Sequence, residues 1–149
     1  MKIDINEIFK SGFNALNPGD SKLQFVLNEL GPFDEKAKYD FSYDLYWDNI
    51  CITFDKETDI IEKIDISFED DTKYKGYYIS PLHGNLTFQK KISIEKLLMF
   101  LNYNAINYSI NNSEVDHEYL FIFINEKIRI TYYLPWKQLI KITITERLE

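Results

Sequence analysis

Two segments of the chain, far apart in the sequence, repeat each other without a gap. Residues 48–68 read DNICITFDKETDIIEKIDISF, and residues 126–146 read EKIRITYYLPWKQLIKITITE. When Asp48 is aligned with Glu126, the identities at this constant offset are Ile50/Ile128, Ile52/Ile130, Thr53/Thr131, Lys63/Lys141, Ile64/Ile142 and Ile66/Ile144. Each segment alternates with period two around a polar turn, which is typical of adjacent strands. Repetition of a whole supersecondary unit indicates two similar units that share one core.

The first copy of the repeated segment is preceded by two helical patterns. Apolar residues fall on one face of a helix over residues 5–16, and Ser21 with Gln24 forms a capping-box pattern before a second helix. Gly31 and Pro32 predict the end of that helix, because glycine just past a C-terminus and proline beyond it do not continue a helix.

Strand patterns follow the helices in the same order in both halves of the chain. In the first half the alternation begins at residue 39, which predicts four buried side chains: Tyr39, Phe41, Tyr43 and Leu45. In the second half, Ser93 is a predicted N-cap for a helix over residues 94–103, and strands are predicted at 117–124, 127–133 and 138–146. The sequence therefore predicts an α+β fold of two tandem repeats, each with one or more helices followed by an antiparallel β-meander.

Length and apolar content set the expected domain organisation. A chain of 149 residues with 45% hydrophobic residues is expected to form a single compact domain, residues 1–149. Repeat one is predicted over about 1–68, a connector over 69–91 and repeat two over about 92–149. No apolar run approaches the ~20 residues of a membrane-spanning helix, and the N-terminus lacks the apolar region of a secretion signal. The single cysteine cannot form an intramolecular disulfide, so a cytoplasmic location is expected.

Net charge restricts the class of partner. The formal charge is −7, and it is unevenly spread. Residues 1–72 carry 7 Lys/Arg and 17 Asp/Glu (7 − 17 = −10), whereas residues 73–149 carry 10 and 7 (10 − 7 = +3). An acidic surface repels nucleic acid and anionic membranes and attracts basic protein surfaces. The charge therefore favours a protein partner, with no nucleic acid and no membrane.

The sequence contains no recognisable catalytic or metal-binding motif. His83 and His117 have no partners at the spacings of zinc sites, and the 5 glycines form no phosphate-binding loop. Cys51 lies in a predicted strand, and a nucleophilic cysteine would need a neighbouring base and a lowered pKa. The prediction is a protein that is not an enzyme, with no catalytic residues, metal or cofactor. Because carboxylates are abundant, an unrecognised carboxylate-based enzyme is an alternative.

Carboxylates and tyrosines are the candidates for contacting a protein. The carboxylates lie on the outer side of the first predicted sheet and in the adjoining connector. The tyrosines lie in the connector, and tyrosine supplies rigid contact area at binding hot spots. The predicted partner-binding residues are Asp40, Asp44, Asp65, Glu69, Asp70, Asp71, Tyr74, Tyr77 and Tyr78.

A contrast between the two halves suggests a second surface. At the constant offset, the outward positions 42, 44 and 46 of the acidic half correspond to Leu120, Ile122 and Ile124. An apolar stripe of this kind must be covered by the chain itself, by a second copy or by a partner. A homodimer through these three residues is therefore an alternative to binding through the acidic surface.

Residues 16–68 resemble a known module. A PGDS turn leads into an amphipathic helix closed by LGP, and tyrosine-rich strands end in the pattern F-D-x-E-x-x-x-I. The order is similar to the helix-and-meander unit of the β-lactamase inhibitor protein, of small outer-membrane assembly lipoproteins and of small immunity proteins that neutralise bacterial toxins. A fainter copy follows Ser93. The positions that carry the likeness are Gly19, Ser21, Val26, Leu30, Gly31, Pro32, Tyr43, Phe54 and Ile64.

The resemblance implies inhibition of a protein through a sheet surface and its loops, without catalysis. The secreted relatives carry a signal sequence and disulfides or a lipid-bearing cysteine, which this chain lacks, so the intracellular, protein-binding role is the one expected here. The predicted function is that of an immunity protein that occludes the active site of a basic bacterial toxin domain, such as a nuclease. A structural adaptor or homo-oligomer and the carboxylate-based enzyme are the alternatives.

Overall fold

A long antiparallel sheet and three helices make up the described part of the chain. The computed structural model describes residues 5–11, 16–68, 77–78, 87–112 and 118–146. The helices are α1 (Ile5–Ser11), α2 (Leu23–Leu30) and α3 (Ile94–Tyr103). The strands are β1 (Glu35–Lys38), β2 (Ser42–Trp47), β3 (Ile50–Asp55), β4 (Ile61–Ser67), β5 (Tyr77–Tyr78), β6 (Thr87–Phe88), β7 (Ser109–Asn112), β8 (Tyr119–Ile124), β9 (Ile128–Tyr133) and β10 (Gln138–Thr145).

Eight of these strands form one sheet in the order β1-β2-β3-β4-β10-β9-β8-β7. Every neighbouring pair is antiparallel, and β5 and β6 pair separately with each other. The order follows the chain from one edge to β4 and returns in reverse from β10 to the other edge. The last strands of the two meanders therefore meet in the middle of the sheet. The predicted α+β class is confirmed.

One face of the sheet is buried together with the helices. Alternate side chains of β2 and β8 are buried, and with the apolar side chains of β3 and β9 they share one cluster with helix residues such as Phe9, Val26 and Leu101. Phe9 in α1 and Phe100 in α3 contact each other, with ring centroids 6.2 Å apart. Burial of this continuous apolar surface is the main favourable term in folding. We call the other side of the sheet, which faces away from this cluster, the outer face.

The central strand pairing joins positions that correspond in the sequence. Asp65 in β4 lies opposite Thr143 in β10, which is its counterpart at the constant offset of the repeat. Glu62 in β4 has no paired position on β3, and the register of the two strands shifts there. Ile140 in β10, which corresponds to Glu62 at the same offset, likewise has no paired position on β9. Positions of β3 and β4 are thus paired in the same way as the positions of β9 and β10 that correspond to them in the sequence. The irregularity in the pairing also falls at corresponding positions.

The correspondence breaks down in β8. Two residues separate the paired ends of β2 and β3, whereas three residues separate those of β8 and β9. Because side chains alternate along a strand, one extra loop residue moves every side chain of β8 to the opposite face. Leu120, Ile122 and Ile124 consequently lie in the core, covered by the chain itself. Their predicted exposure on the outer face is wrong, and they are not accessible to a second copy.

The first strand of the alternating pattern also begins later than predicted. Tyr39 is 53% exposed and Phe41 is 86% exposed, because residues 39–41 form the turn between β1 and β2. The buried alternation begins at Tyr43, whose hydroxyl donates to Asp59 Oδ1 at 2.6 Å. β1 and β7, the short edge strands, were not predicted. Their polar sequences lack the apolar alternation that marks a half-buried strand.

The helix ends agree with the sequence at two of three capping positions. The Ser93 hydroxyl accepts a hydrogen bond from the Lys96 N–H at 3.2 Å, as an N-cap does, and α3 spans the predicted residues. Gly31 ends α2 with a φ of 79°, and its N–H donates to the Leu27 carbonyl. Ser21 is not the N-cap of α2, because its hydroxyl instead accepts from the Asn17 N–H within the preceding turn.

Candidate functional site

The outer face carries one continuous row of side chains from meander to meander. The row follows the strand register, and each residue lies directly opposite the next on the neighbouring strand. It consists of Tyr46, Cys51, Asp65, Thr143, Arg129 and Phe123. The row is polar and acidic on the side of β2 to β4, and it becomes cationic and aromatic on the side of β9 and β8. Surface chemistry therefore changes at the centre of the sheet.

Only three of the nine predicted partner-binding side chains can be placed. Asp40 is exposed in the turn between β1 and β2, and Asp44 and Asp65 lie on the outer face, separated by β3. Tyr77 and Tyr78 form β5, of which only the backbone is described. The other four lie outside the described residues: Glu69, Asp70, Asp71 and Tyr74. The structure thus brings Asp44 and Asp65 to one face of the sheet.

Asp65 is held within the sheet by its neighbours. It is 9% exposed, and its Oδ1 accepts a 2.6 Å hydrogen bond from the Thr143 hydroxyl. The Lys63 Nζ lies 3.5 Å from its Oδ2, and the Lys141 Nζ lies 3.9 Å from its Oδ1. A buried carboxylate requires such partners, because an unpaired buried charge is costly. Asp65 therefore joins the two meanders rather than offering a free carboxylate to a partner.

Asp44 and Cys51 form a second polar group, next to Asp65. The Thr53 hydroxyl donates to Asp44 Oδ1 at 2.6 Å. Burial, followed by the nearby Asp44 carboxylate, raises the pKa of the Cys51 thiol to about 11, although its hydrogen bond to Tyr46 acts in the opposite direction. The charge of ionised Cys51, followed by burial, raises the pKa of Tyr46 to about 12. A catalytic thiolate needs the opposite shift, so this environment keeps Cys51 protonated at neutral pH.

Cys51 is expected to react slowly with alkylating reagents in the folded protein. At pH 8 the thiolate fraction should be about 100-fold lower than in the urea-unfolded chain, because the pKa rises from 9.0 to about 11. Iodoacetamide labelling followed by mass spectrometry measures both rates. The folded state should also lose stability as the pH rises from 9 towards 11, because the unfolded thiol ionises first. Equal labelling rates in the folded and unfolded chain would contradict this environment.

Aromatic side chains form a continuous group on the other half of the outer face. We call this group the aromatic stripe: Tyr119, Phe121, Phe123, Tyr133 and Trp136. Its ring centroids are 5.0 Å apart for Tyr119 and Tyr133, 5.3 Å for Tyr133 and Trp136, and 6.3 to 6.5 Å along β8. Trp136, in the β9/β10 turn, is 68% exposed, and the other four side chains are partly exposed. The stripe is the largest set of mutually contacting aromatic rings on the described outer face.

Arg129 contacts the aromatic stripe, and one of its hydrogen-bond donors has no partner among the described residues. Its guanidinium carbon is 5.4 Å from the centre of the Phe121 ring, which is a cation–π geometry. Its Nε is buried and has no hydrogen-bond partner among the described residues. The hydroxyl of Thr131, which is 5% exposed on the same strand, likewise has none there. Aromatic rings together with an arginine are the composition that protein-binding hot spots favour.

The sequence does contain a signal for the aromatic stripe. In YLFIFI, residues 119–124, the aromatic side chains stand at odd positions and the aliphatic ones at even positions. Both classes are apolar, so hydropathy alone does not distinguish the two faces of this strand. Side-chain type distinguishes them, because leucine and isoleucine occupy the buried positions of β8 and the aromatic residues occupy the partly exposed ones. Assigning the aliphatic side chains to the core gives the observed register in β8, although the same rule fails in β2, where Tyr43 and Trp47 are buried.

Carboxylates also line a surface cavity, which is a candidate active site for the alternative of a carboxylate-based enzyme. This cavity of about 520 Å³ lies beside the ends of β4 and β10, and Asp55, Glu62 and Glu146 are among its lining residues. Hydrogen bonds from Thr58 and from the Glu57 N–H lower the pKa of Asp55, which therefore stabilises its own turn as a carboxylate. A general acid needs a raised pKa, so Asp55 is unsuited to that role at neutral pH.

The described ranges contain neither a metal-binding cluster nor a membrane-spanning helix. No group of three or more His, Cys, Asp or Glu side chains in them is arranged to hold a metal ion. His83 and His117 lie outside these ranges. None of the helices there is both long and apolar enough to cross a membrane.

Comparison with known proteins leaves the chain without an assigned relative. No protein-family model matches it, and neither a curated protein nor a solved structure does.

Proposed function

We propose that this chain is a non-catalytic protein-binding inhibitor that contacts its partner through the outer face. The observation that supports this proposal is the aromatic stripe with Arg129 stacked on it. The rings are already held by contacts with one another, so ordering them on binding costs little conformational entropy. They also offer apolar area on a face that no described helix covers.

The proposed interface has an aromatic centre and a charged rim. Protein interfaces commonly combine a desolvated apolar core with a polar periphery. Here the stripe provides the core, and the acidic half of the chain provides the rim, where Glu35, Asp40 and Glu62 are exposed. Asp44 accepts a hydrogen bond from Thr53, and Asp65 accepts one from Thr143 and lies beside two lysines, so on this proposal the exposed carboxylates make the closer contacts with the partner. The rim would accelerate encounter with a basic partner more than it strengthens the complex.

We also propose that the sheet is built from two tandem repeats. Equal strand order in the two meanders, and register shifts at corresponding positions of β4 and β10, support a duplicated helix-and-meander unit. On this proposal the two outer faces have diverged, because one became polar and cysteine-bearing while the other became aromatic. The extra loop residue before β9 accounts for much of that divergence.

The partner class that best fits these features is a bacterial toxin domain with a basic surface. The resemblance to small immunity proteins and the acidic balance of residues 1–72 both favour neutralisation of such a domain inside the cell. Inhibition would occur by occlusion, since the interface supplies binding area and needs no cofactor. A nuclease is a suitable example, because its substrate-binding lysines and arginines would face the acidic rim.

A capture and growth-rescue experiment tests this function. The tagged chain is used to capture proteins from its source organism, in parallel with the Phe121→Ser/Tyr133→Ser variant as a stripe-deficient control. A protein that binds the first but not the second is then expressed in a bacterial host. We expect it to arrest growth, and we expect co-expression of the wild-type chain, but not of the variant, to restore it.

Two results would contradict the proposal in different ways. A captured protein that is harmless when expressed alone would exclude the toxin assignment. Equal capture by the wild-type chain and by a stripe variant with an unchanged circular dichroism spectrum would exclude the outer face as the contact surface.

A further inference from the structure

The two edges of the eight-stranded sheet differ in how they are protected against further strand pairing. β1 forms one edge and β7 forms the other, and neither pairs with a further described strand on its far side. An unprotected edge strand is a ready template for pairing with another chain, and proteins commonly block it with inward-pointing charges. The side chains at the two edges therefore indicate which edge accepts a partner strand.

The β1 edge is blocked by lysine. Lys36 lies opposite Leu45 and Lys38 lies opposite Tyr43, so both occupy positions on the buried side of the sheet. The Lys36 ammonium lies 4.7 Å from the centre of the Tyr43 ring. A strand added beside β1 would have to bring its own inward side chains against these two charges, which carries a desolvation penalty. Pairing at this edge is therefore disfavoured.

The β7 edge carries no charge. No Asp, Glu, Lys or Arg occurs between Lys96 and Glu114, a stretch that includes the whole of β7. Ile110 lies opposite Ile122, whose side chain is fully buried, so Ile110 belongs to the buried side of the sheet. Nevertheless, Ile110 is 46% exposed, because no described strand continues the sheet beyond it. One more strand would complete the apolar layer at this position.

We propose that β7 pairs antiparallel with β7 of a second copy of this chain and joins the two sheets into one. Self-pairing about Ile110 places the Ile110 side chains of the two copies against each other and sets Ser109 opposite Asn111. This arrangement is complementary to itself, because it buries apolar area against apolar area and opposes no like charges. The chain already pairs equivalent positions in this way where Asp65 meets Thr143.

The resulting dimer would present two aromatic stripes on one continuous outer face. The two β8 strands would be separated by three strand spacings, roughly 14 Å at the usual distance between neighbours. Both stripes would then lie within reach of a single partner surface, and both acidic halves would lie at the outer ends. This inference goes beyond the proposed function and does not rest on it, because self-association is measured without a partner.

Sedimentation equilibrium from 1 to 100 µM protein tests the dimer, with Ile110→Lys as the disrupting variant. This substitution gives β7 the inward-pointing lysine that blocks β1, and we expect it to weaken dimerisation at least 100-fold. Phe41→Lys, which introduces the same charge at an exposed aromatic residue in the β1/β2 turn, should leave dimerisation nearly unchanged. Ile110→Asn keeps a neutral side chain and should weaken dimerisation about tenfold even if the lysine variant folds poorly.

Salt dependence separates this inference from partner binding. Each copy carries a charge of −7, so raising the salt concentration should strengthen self-association by screening repulsion, whereas it should weaken binding to a basic partner. A wild-type chain that remains monomeric at 100 µM in both low and high salt would overturn the inference. So would a folded Ile110→Lys variant that dimerises like the wild type.

Discussion

Replacing Tyr132 by alanine is expected to lower the free energy of unfolding by about 3–5 kcal/mol. Tyr132 is 1% exposed and is among the largest fully buried side chains. Its hydroxyl donates a 3.0 Å hydrogen bond to the carbonyl oxygen of Ile92, which ties the segment before α3 to the sheet. Alanine would remove most of the ring's buried area and leave a cavity beneath the helix. Urea unfolding followed by circular dichroism measures the change in the midpoint.

One further variant separates packing from hydrogen bonding at this position, and another serves as an exposed control. Tyr132→Phe keeps the ring and leaves the Ile92 carbonyl without its donor, so it should cost about 1 kcal/mol. Phe41→Ala removes an exposed ring from a turn and should change the free energy of unfolding by less than about 0.5 kcal/mol. A Tyr132→Ala variant as stable as Phe41→Ala would show that this ring is not in the core.

Binding is expected to depend most strongly on the aromatic stripe. Trp136→Ala and Phe121→Ala should each weaken the complex by about 2 kcal/mol, or roughly 30-fold in Kd. Trp136 supplies the most exposed ring, and Phe121 supports the guanidinium of Arg129. Isothermal titration of each variant with the purified partner measures the loss of affinity. In a separate kinetic measurement, the loss should appear mainly as faster dissociation.

The matched control for these variants is an exposed aromatic residue on the other side of the sheet. Tyr103 is 60% exposed on α3, and Tyr103→Ala should leave the Kd unchanged within a factor of two. A large loss in this control, with none in Trp136→Ala or Phe121→Ala, would move the contact surface to the helices. Thermal unfolding of all three variants ensures that weaker binding does not reflect unfolding.

Elements with strong local signals could be predicted from the sequence. The span of α3 follows from its serine cap and its apolar spacing, and the end of α2 follows from Gly31. The strands that contain the repeated Ile and Thr residues were found because apolar and polar side chains alternate in their sequences, although outward residues such as Thr53 and Thr143 are buried as well. β1 and β7 were missed because edge strands bury little and therefore need no apolar alternation.

The position of the candidate site could not be predicted by extending the repeat. One additional residue in the β8/β9 loop reverses the two faces of β8, and an ungapped comparison of the two halves does not reveal such an insertion. Consequently the side chains expected outside, such as Ile122, lie in the core, and aromatic rings occupy the outer face instead. Asp44 and Asp65 lie on the outer face as predicted, whereas Asp40 lies in the β1/β2 turn instead. The hydrogen bonds of Asp44 and Asp65 across strands depend on tertiary pairing. Such contacts, including Thr143 with Asp65, have no local signature.

Hydroxyl-radical footprinting of the complex tests the binding face most directly. The method reports side-chain accessibility, so it distinguishes the two faces of one sheet, which backbone exchange does not. Binding through the outer face predicts that Trp136, Tyr119 and Tyr133 become protected when the partner is added, while Met99 and Tyr103 on α3 remain as reactive as in the free chain. Protection of Met99 and Tyr103, with the aromatic stripe still reactive, would contradict binding through the outer face.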